Sequence, residues 1–153
     1  MNEDPIKWCE GDDPEMVAAI AKAQATLPDF LAELDREAHR IIPALDAAVA
    51  KVFFSHPGRP GAGEHMFVDQ LRRDGENIRG VLASDSMFVP GLKAGRQVAF
   101  PLTRISDWFY VVRGRGQGGY TIDLIASRMS KQEYLAASKS PPFSWFAWRQ
   151  QKT

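Results

Sequence analysis

The sequence predicts an α+β fold: N-terminal helices packed on a curved antiparallel sheet of about six strands, followed by a short C-terminal helix. Helical spacing of apolar residues is concentrated near the N-terminus, whereas Val- and Phe-rich segments separated by Gly and Pro turns fill most of the remainder. Helices and strands segregated in this way indicate an antiparallel sheet rather than a parallel one. The length of 153 residues, with 44% hydrophobic and 25% charged residues, fits one globular domain.

Three consecutive residues mark the start of the first helix. Asp13 can accept hydrogen bonds as the N-cap, Pro14 suits the first helical position, and Glu15 suits the positive end of the helix dipole. The apolar residues that follow lie at spacings of three and four and so share one helical face: Met16, Ile20, Ala23 and Leu27.

Pro28 is expected to interrupt this helix because proline lacks the N–H that a helix interior needs. A second short helix is predicted after it, with Thr26 as its cap. Its apolar residues are Phe30, Leu31 and Leu34. Residues 35–48 are interpreted as a connection with one helical turn at 44–48.

Apolar, β-branched and aromatic segments predict six strands. They cover residues 49–55, 64–72, 77–83, 97–100, 107–112 and 120–126. Asp74-Gly75 is a strong hairpin signal. Gly- and Pro-rich loops are expected at 56–63 and 84–96, and a glycine-rich turn at 114–119.

The C-terminal part is predicted to hold one short helix and an aromatic tail. Ser130 and Glu133 have capping-box spacing, and Pro141-Pro142 ends the helix. We expect a loose segment at 1–11, a single α+β domain at 12–140 and the tail at 141–153. The tail aromatics either fold back onto the core or form an exposed anchor for a partner; they are Phe143, Trp145, Phe146 and Trp148.

Charge and cysteine content narrow the function classes. Lys and Arg number 19, Asp and Glu number 19, and the net charge is zero, which argues against nucleic-acid binding because phosphate contacts need a basic excess. Cys9 is the one cysteine, so neither an intramolecular disulfide nor a cysteine-based zinc site is expected. No signal peptide and no long apolar run are evident, and we expect a soluble cytoplasmic protein without a membrane partner.

Glu64, His65 and Asp107 are the candidate catalytic residues. An adjacent acid and imidazole after a flexible loop can act as general base and orienting group, with Asp107 as a further carboxylate. On a strand, however, neighbouring side chains point to opposite faces. The alternative is structural: a hydrogen-bonded His65, a surface Glu64, and an Asp107 that accepts backbone N–H bonds. The three histidines lack metal-ligand spacing, so no metal and no cofactor are predicted.

Several other residues are candidates for a ligand or partner surface. Trp108 and Tyr110 either line a groove or pack in the core. Residues 114–119 match G-x-G-x-x-G literally, but a strand is expected after them, so a β-hairpin is favoured over a dinucleotide site. Arg113 and Arg115 on that turn could meet an anionic partner. Trp145 and Trp148 complete this set.

The chain resembles the YegJ-like family of uncharacterised bacterial domains over roughly residues 12–135. The segments that carry the resemblance are 12–16 (DDPEM), 26–30 (TLPDF), 63–68 (GEHMFV), 91–95 (GLKAG), 105–110 (ISDWFY) and 118–121 (GGYT). Phe67 stands where the family pattern often has Trp, and the tail after residue 140 lies outside the resemblance. The resemblance implies a fold and an occurrence near bacterial toxin-immunity systems, but it implies no reaction.

Two functions follow from these observations. The first is a non-catalytic module that binds a protein or ligand, for example an immunity-like inhibitor, through loops 56–63, 84–95 and 113–119. The second is a small hydrolase-like enzyme using Glu64, His65 and Asp107, which requires those side chains to converge. A protein partner or a homo-oligomer is expected for the first.

Overall fold

In the described part of the chain, one long α-helix lies across a six-stranded antiparallel sheet, and two short α-helices and an aromatic segment follow the last strand. The computed structural model describes residues 13–151; the predicted loose segment 1–11 and Cys9 lie outside this range. The helices are α1 (Pro14–His39), α2 (Tyr120–Ser127) and α3 (Lys131–Ala137). The strands are β1 (Ala47–Ser55), β2 (Gly63–Asp74), β3 (Asn77–Leu82), β4 (Gln97–Pro101), β5 (Ile105–Val112) and β6 (Arg115–Gly118). Their spatial order is β4-β3-β2-β1-β5-β6.

The N-terminus of α1 is capped as predicted. The Asp13 side chain accepts a hydrogen bond from the Met16 N–H at 3.2 Å, and Pro14 occupies the first turn. Arg128, just after α2, donates to both carboxylate oxygens of Asp13 at 2.7 Å. This ion pair ties the start of α1 to the end of α2.

The predicted break at Pro28 is wrong, because α1 continues through it to His39. The side chain of Pro28 is exposed, whereas Leu27, Phe30 and Leu34 on either side of it are buried against the sheet. An interior proline costs about 3 kcal/mol, and burial of each large apolar side chain returns about 1.5–3 kcal/mol. Packing therefore outweighs the missing hydrogen bond. Thr26 does not cap a second helix, since its hydroxyl donates to the Lys22 carbonyl within α1.

The helical turn predicted at 44–48 is also absent from this part of the described chain, because β1 begins at Ala47. Residues 40–46 form an irregular linker that Glu37 fixes in place. Its carboxylate accepts from the backbone N–H groups of Ala44 and Leu45 at 3.0 and 3.1 Å.

The two faces of the sheet bury different clusters. The face toward α1 holds the larger core, in which Phe30 stacks on Trp108 with ring centroids 5.1 Å apart. The opposite face holds a smaller core built on β1 and β5 and covered by the C-terminal segment. Its buried members are Val49, Phe109, Val111, Ile122 and Phe146.

The predicted hairpin at Asp74-Gly75 is confirmed, with Asp74 opposite Asn77. Farther along the same pair, the register shifts between Asp69 and Arg72. Gln70 adopts a positive φ of 51° there, as expected of a β-bulge. Gly80 faces this bulge, where an added Cβ would lie 2.5 Å from Val68 Cγ1 and 2.7 Å from the Asp69 carbonyl oxygen.

We expect Gly80→Ala to lower the free energy of unfolding by about 1–3 kcal/mol, because the new methyl group overlaps both the backbone and a buried valine. Urea unfolding followed by circular dichroism measures this. Gly58→Ala controls for the loss of a glycine without a clash or a positive φ, since the nearest atom to its Cβ position is His56 Cε1 at 3.4 Å. Equal stability of Gly80→Ala and the wild type would contradict the tight packing at the bulge.

The strand predicted at 120–126 is wrong. Residues 120–127 form α2, and the sixth strand is instead β6, within the predicted glycine-rich turn. The capping box of Ser130 with Glu133 at the start of α3 is confirmed. No helix within residues 13–151 is both long and apolar enough to cross a membrane.

Candidate functional site

Glu64 holds the loop between β3 and β4 in one conformation. Its Oε1 accepts from the Ser86 hydroxyl at 2.9 Å and from the backbone N–H groups of Met87 and Phe88 at 3.1 and 2.9 Å. The Ser86 hydroxyl oxygen in turn accepts from the N–H of Val89 at 2.7 Å. A carboxylate on a strand therefore fixes the backbone of a loop more than 20 residues away in sequence.

This anchored loop exposes two large apolar side chains. Met87 is 96% exposed and Phe88 is 38% exposed. The ring of His56, from the loop between β1 and β2, lies 4.9 Å from the Phe88 ring, and the Arg59 guanidinium lies 5.5 Å from it. We call His56, Arg59, Met87 and Phe88 the Phe88 patch. Loops 56–62 and 84–96 thus meet in one surface whose residue types, methionine, aromatic and arginine, are enriched in protein interfaces.

His65 is half-buried and oriented by Ser106. The His65 Nδ1 lies 2.9 Å from the Ser106 hydroxyl, which donates its own hydrogen to the Lys51 carbonyl at 3.2 Å. With its own hydrogen directed to that carbonyl, the hydroxyl oxygen can accept from His65 in the tautomer that carries a proton on Nδ1. Ser106 itself is 0% exposed, so its oxygen is not accessible to a substrate.

Asp107 is buried and caps α2. One carboxylate oxygen accepts from the Trp108 and Tyr120 N–H groups at 2.8 and 3.1 Å; the other accepts from the Thr121 N–H and hydroxyl at 2.8 and 2.6 Å. Lys51 donates to the same Thr121 hydroxyl at 3.2 Å. Burial raises the pKa of Asp107 above its ordinary value, although these hydrogen bonds oppose the rise.

The three candidate catalytic residues do different things in the structure. Glu64 anchors a loop, His65 bonds Ser106, and Asp107 caps a helix. As expected for neighbours on β2, the side chains of Glu64 and His65 serve separate sets of contacts. No hydrogen bond joins any two of the three within residues 13–151. The nearest approach to a catalytic arrangement is the contact between His65 and the buried Ser106. Within the same residues, no group of three or more His, Cys, Asp or Glu side chains could hold a metal ion.

Trp108 and Tyr110 belong largely to the core beneath α1. Trp108 is 4% exposed, and its indole N–H donates to the Ala23 carbonyl at 3.1 Å. Tyr110 stacks on Trp108 with ring centroids 6.1 Å apart and is half-buried. Trp108 therefore offers no surface to a partner in this conformation, in accordance with the packing alternative for this strand.

The C-terminal aromatics fold back onto the sheet. The Phe146 ring is buried, and Trp145 lies 5.8 Å from the Phe109 ring. Trp148 donates to the Gly116 carbonyl at 3.3 Å and is flanked by the guanidinium groups of Arg115 and Arg149. Arg113 is exposed and has a positive φ of 52°. Of the predicted surface set, Arg113 and Arg115 are thus the most exposed.

The glycine-rich segment 114–119 is a flat support for aromatic rings. A Cβ on Gly116 or Gly119 would lie 2.5 or 2.6 Å from the Phe146 ring, and one on Gly118 would lie 2.5 Å from the Trp108 ring. The segment does precede a helix, contrary to our prediction, but the first N–H groups of α2 already bind the Asp107 carboxylate. The anion position of a dinucleotide site is therefore filled by the protein itself.

The four residues of the Phe88 patch lie in two of the loops that the sequence predicts as a binding surface, 56–63 and 84–95, but none of the four is singled out as a predicted site residue. The signal that could have identified it is a Met-Phe pair inside a segment otherwise rich in Ser, Asp, Gly and Pro. Large apolar residues in such a link have no obvious place in a core.

Comparisons with known proteins identify the family. A family model described as "Uncharacterized protein conserved in bacteria (DUF2314)" matches residues 13–140. A relative from Neisseria meningitidis serogroup B, named "Putative ankyrin repeat protein", is 36% identical over 134 residues. The alignment covers 87% of this chain and 53% of that protein, so the chain spans about half the length of this relative. No solved structure matches the chain. The chain belongs to the DUF2314 family of bacterial proteins.

Proposed function

We propose that this DUF2314 chain is a protein-binding module that presents the Phe88 patch to a partner. The observation that carries the proposal is an anchored loop that exposes two large apolar side chains, with Met87 96% and Phe88 38% exposed. Exposed apolar side chains that share one surface are typical of interaction sites, whereas isolated ones are common on any protein. The patch also includes an arginine and a histidine ring that contact Phe88.

The anchoring of the loop by Glu64 favours a specific binding site over nonspecific association of exposed apolar side chains. Ordering a loop on association costs free energy, and a loop already fixed in the free protein avoids that cost. The Glu64 carboxylate accepts from the backbone N–H groups of Met87 and Phe88, and the Ser86 hydroxyl accepts from that of Val89. The free module therefore holds Met87 and Phe88 in a defined arrangement.

The comparisons are compatible with a binding role. The Neisseria relative is named for ankyrin repeats, and repeats of that class form extended binding surfaces. We also propose that the chain is a YegJ-like domain and that it acts in the cytoplasm. An immunity-like module that blocks a toxin is one version of the proposed binding module. We do not extend the proposal to a hydrolase, since Glu64 and Asp107 are both engaged in fixing the backbone.

The proposal predicts that Met87→Ser/Phe88→Ser loses the partner. The immobilised chain is exposed to an extract of the bacterium that produces it, and retained proteins are quantified by mass spectrometry. We expect the wild type to retain a discrete protein in near-stoichiometric amount, and the double variant to retain at least about tenfold less, since loss of an interface hot-spot side chain costs about 2 kcal/mol or more.

The matched control is Leu135→Ser, which removes a 53% exposed leucine on α3 that is not one of the patch residues. It should retain the partner as the wild type does, and thermal unfolding should show that all variants fold. Equal retention by the wild type and the double variant would contradict the role of the Phe88 patch.

A further inference from the structure

The sheet is split between β1 and β2 at one end. The pairing of these two strands runs from Ser55 opposite Gly63 to Ala50 opposite Val68 and stops there. Beyond this point β1 continues to Ala47, paired with β5, and β2 continues to Asp74, paired with β3. In these end parts, β1 is therefore paired only with β5 and β2 only with β3. Among the described residues, no strand pairs with either of them across the split.

The β-bulge explains why the strands separate. Gln70 and Leu71 together oppose the single residue Gly80, and Gln70 is held at a φ of 51°. A bulge bends the strand that contains it and increases its twist. The bend directs the hairpin of β2 and β3 away from β1. The main chain of residues 69–73 is therefore left without a neighbouring strand on the side that faces β1.

The split opens a groove of about 700 Å³ beneath the C-terminal end of α1. Its apolar lining comes from α1, the 40–46 linker, β1 and β2: Leu34, Ala38, Leu45, Ala47, Ala48 and Leu71. The same linker leaves Ile41 and Ile42 99% and 81% exposed. The groove thus combines small apolar side chains with main-chain groups, the two features that an added strand uses.

Charge at the rim favours an acidic ligand. Arg73 is paired with Asp35 at 3.1 Å, and Glu37 is engaged with Arg40 and two backbone N–H groups. Arg72 has no ion pair or hydrogen bond from its side chain to any described residue, and it stands directly opposite Arg79 on β3. Arg79 is already paired with Asp74 at 3.3 Å, so Arg72 is the cation that a carboxylate on an added strand would neutralise.

We propose that this groove binds an extended peptide segment of a partner protein, which adds a strand to the β2 edge at residues 69–73 and places an acidic side chain at Arg72. Four to five paired residues would fill the edge, since a strand rises about 3.3 Å per residue. The proposal rests on the register of the sheet and does not depend on the Phe88 patch.

Two measurements test the groove. The first is amide hydrogen exchange of the free chain, read residue by residue by NMR. We expect those amides of residues 70–73 and 47–49 that face the split to exchange much faster than the paired amides of 64–68. Protection of all of them in the free chain would overturn the proposal, because it would mean that the edge is already paired.

The second is selection from a library of ten-residue peptides displayed on phage, with the folded full chain as the target and synthetic peptides for follow-up. We expect binders with alternating apolar residues and an acidic residue, which protect the amides of 70–73. Methylating alternate backbone nitrogens of a selected peptide should abolish binding. Arg72→Glu should weaken binding at least tenfold, and Lys139→Glu, an exposed change of equal charge after α3 and outside the groove lining, should not.

Either of two selection results would overturn the proposal. One is an absence of peptides that distinguish the wild type from Arg72→Glu. The other is peptides that tolerate backbone methylation or protect amides elsewhere, which would indicate side-chain recognition at a different surface. Because Met87→Ser/Phe88→Ser leaves the groove intact, it should bind the selected peptides as the wild type does, and this separates failure of the groove from failure of the Phe88 patch.

Discussion

Asp107→Ala is expected to lower the free energy of unfolding by about 3–5 kcal/mol, one of the two largest effects of a single change in this chain. The carboxylate is 1% exposed and accepts four hydrogen bonds from Trp108, Tyr120 and Thr121. Removing it leaves the N-terminus of α2 and the Thr121 hydroxyl without their acceptors. Chemical denaturation followed by fluorescence of the tryptophans measures the loss.

Asp107→Asn is the matched control, because it keeps the shape and one acceptor oxygen. It should cost less than Asp107→Ala. It should also change the pH dependence: burial raises the pKa of Asp107, so the native state binds its proton more tightly than the unfolded chain. The stability linked to Asp107 is therefore fully present below about pH 4 and declines as pH rises through the raised pKa. Identical pH profiles for Asp107→Asn and the wild type would contradict this.

Phe146→Ala is expected to cost about 3–5 kcal/mol, because the buried ring fills the space above Gly116 and Gly119 and contacts Phe109 at 5.6 Å. Loss of the ring should also release the C-terminal segment, which limited proteolysis after Arg149 would detect. A loss below 1 kcal/mol would mean that the tail does not complete the second core.

The complementarity of ring and glycine can be tested separately by a double-mutant cycle. Gly116→Ala alone should be strongly destabilising, since its Cβ would lie 2.5 Å from the Phe146 ring. In the Phe146→Ala background the same methyl group enters vacated space, so its cost should fall sharply. Additive costs would show that Gly116 is required for a reason other than the ring.

Local signals predicted the parts of the fold that local chemistry determines. The cap at Asp13, the capping box at Ser130 and the hairpin at Asp74-Gly75 depend on residues within three or four positions of one another. The α+β class followed from the segregation of helical and strand patterns. None of these required knowledge of distant contacts.

The predictions are wrong where contacts between residues distant in sequence determine the secondary structure. Residues 120–126 are rich in strand formers, yet they form α2 because Asp107, 13 residues earlier, accepts the first N–H groups of that helix. Pro28 is tolerated inside α1 because the side chains around it pack on a sheet formed later in the chain. Tertiary contacts outweigh intrinsic propensity in both cases.

The candidate site was harder to predict than the fold. Glu64 and His65 attracted attention as an acid-imidazole pair, but their roles depend on Ser86 and Ser106, more than 20 residues away. The exposure of Met87 and Phe88 cannot be inferred from residue type, because methionine and phenylalanine are usually buried. Only the anchoring of the loop by Glu64 shows that these side chains are held outward.

The most direct test of the central claim is site-specific photo-cross-linking in the living bacterium, with a photoreactive amino acid in place of Met87 and, as the control, in place of Lys139. The account predicts one discrete adduct from position 87 that is absent from position 139 and that weakens when Glu64→Gln loosens the loop. An absence of adducts from position 87, or the same adducts from both positions, would contradict the claim that the Phe88 patch binds a protein.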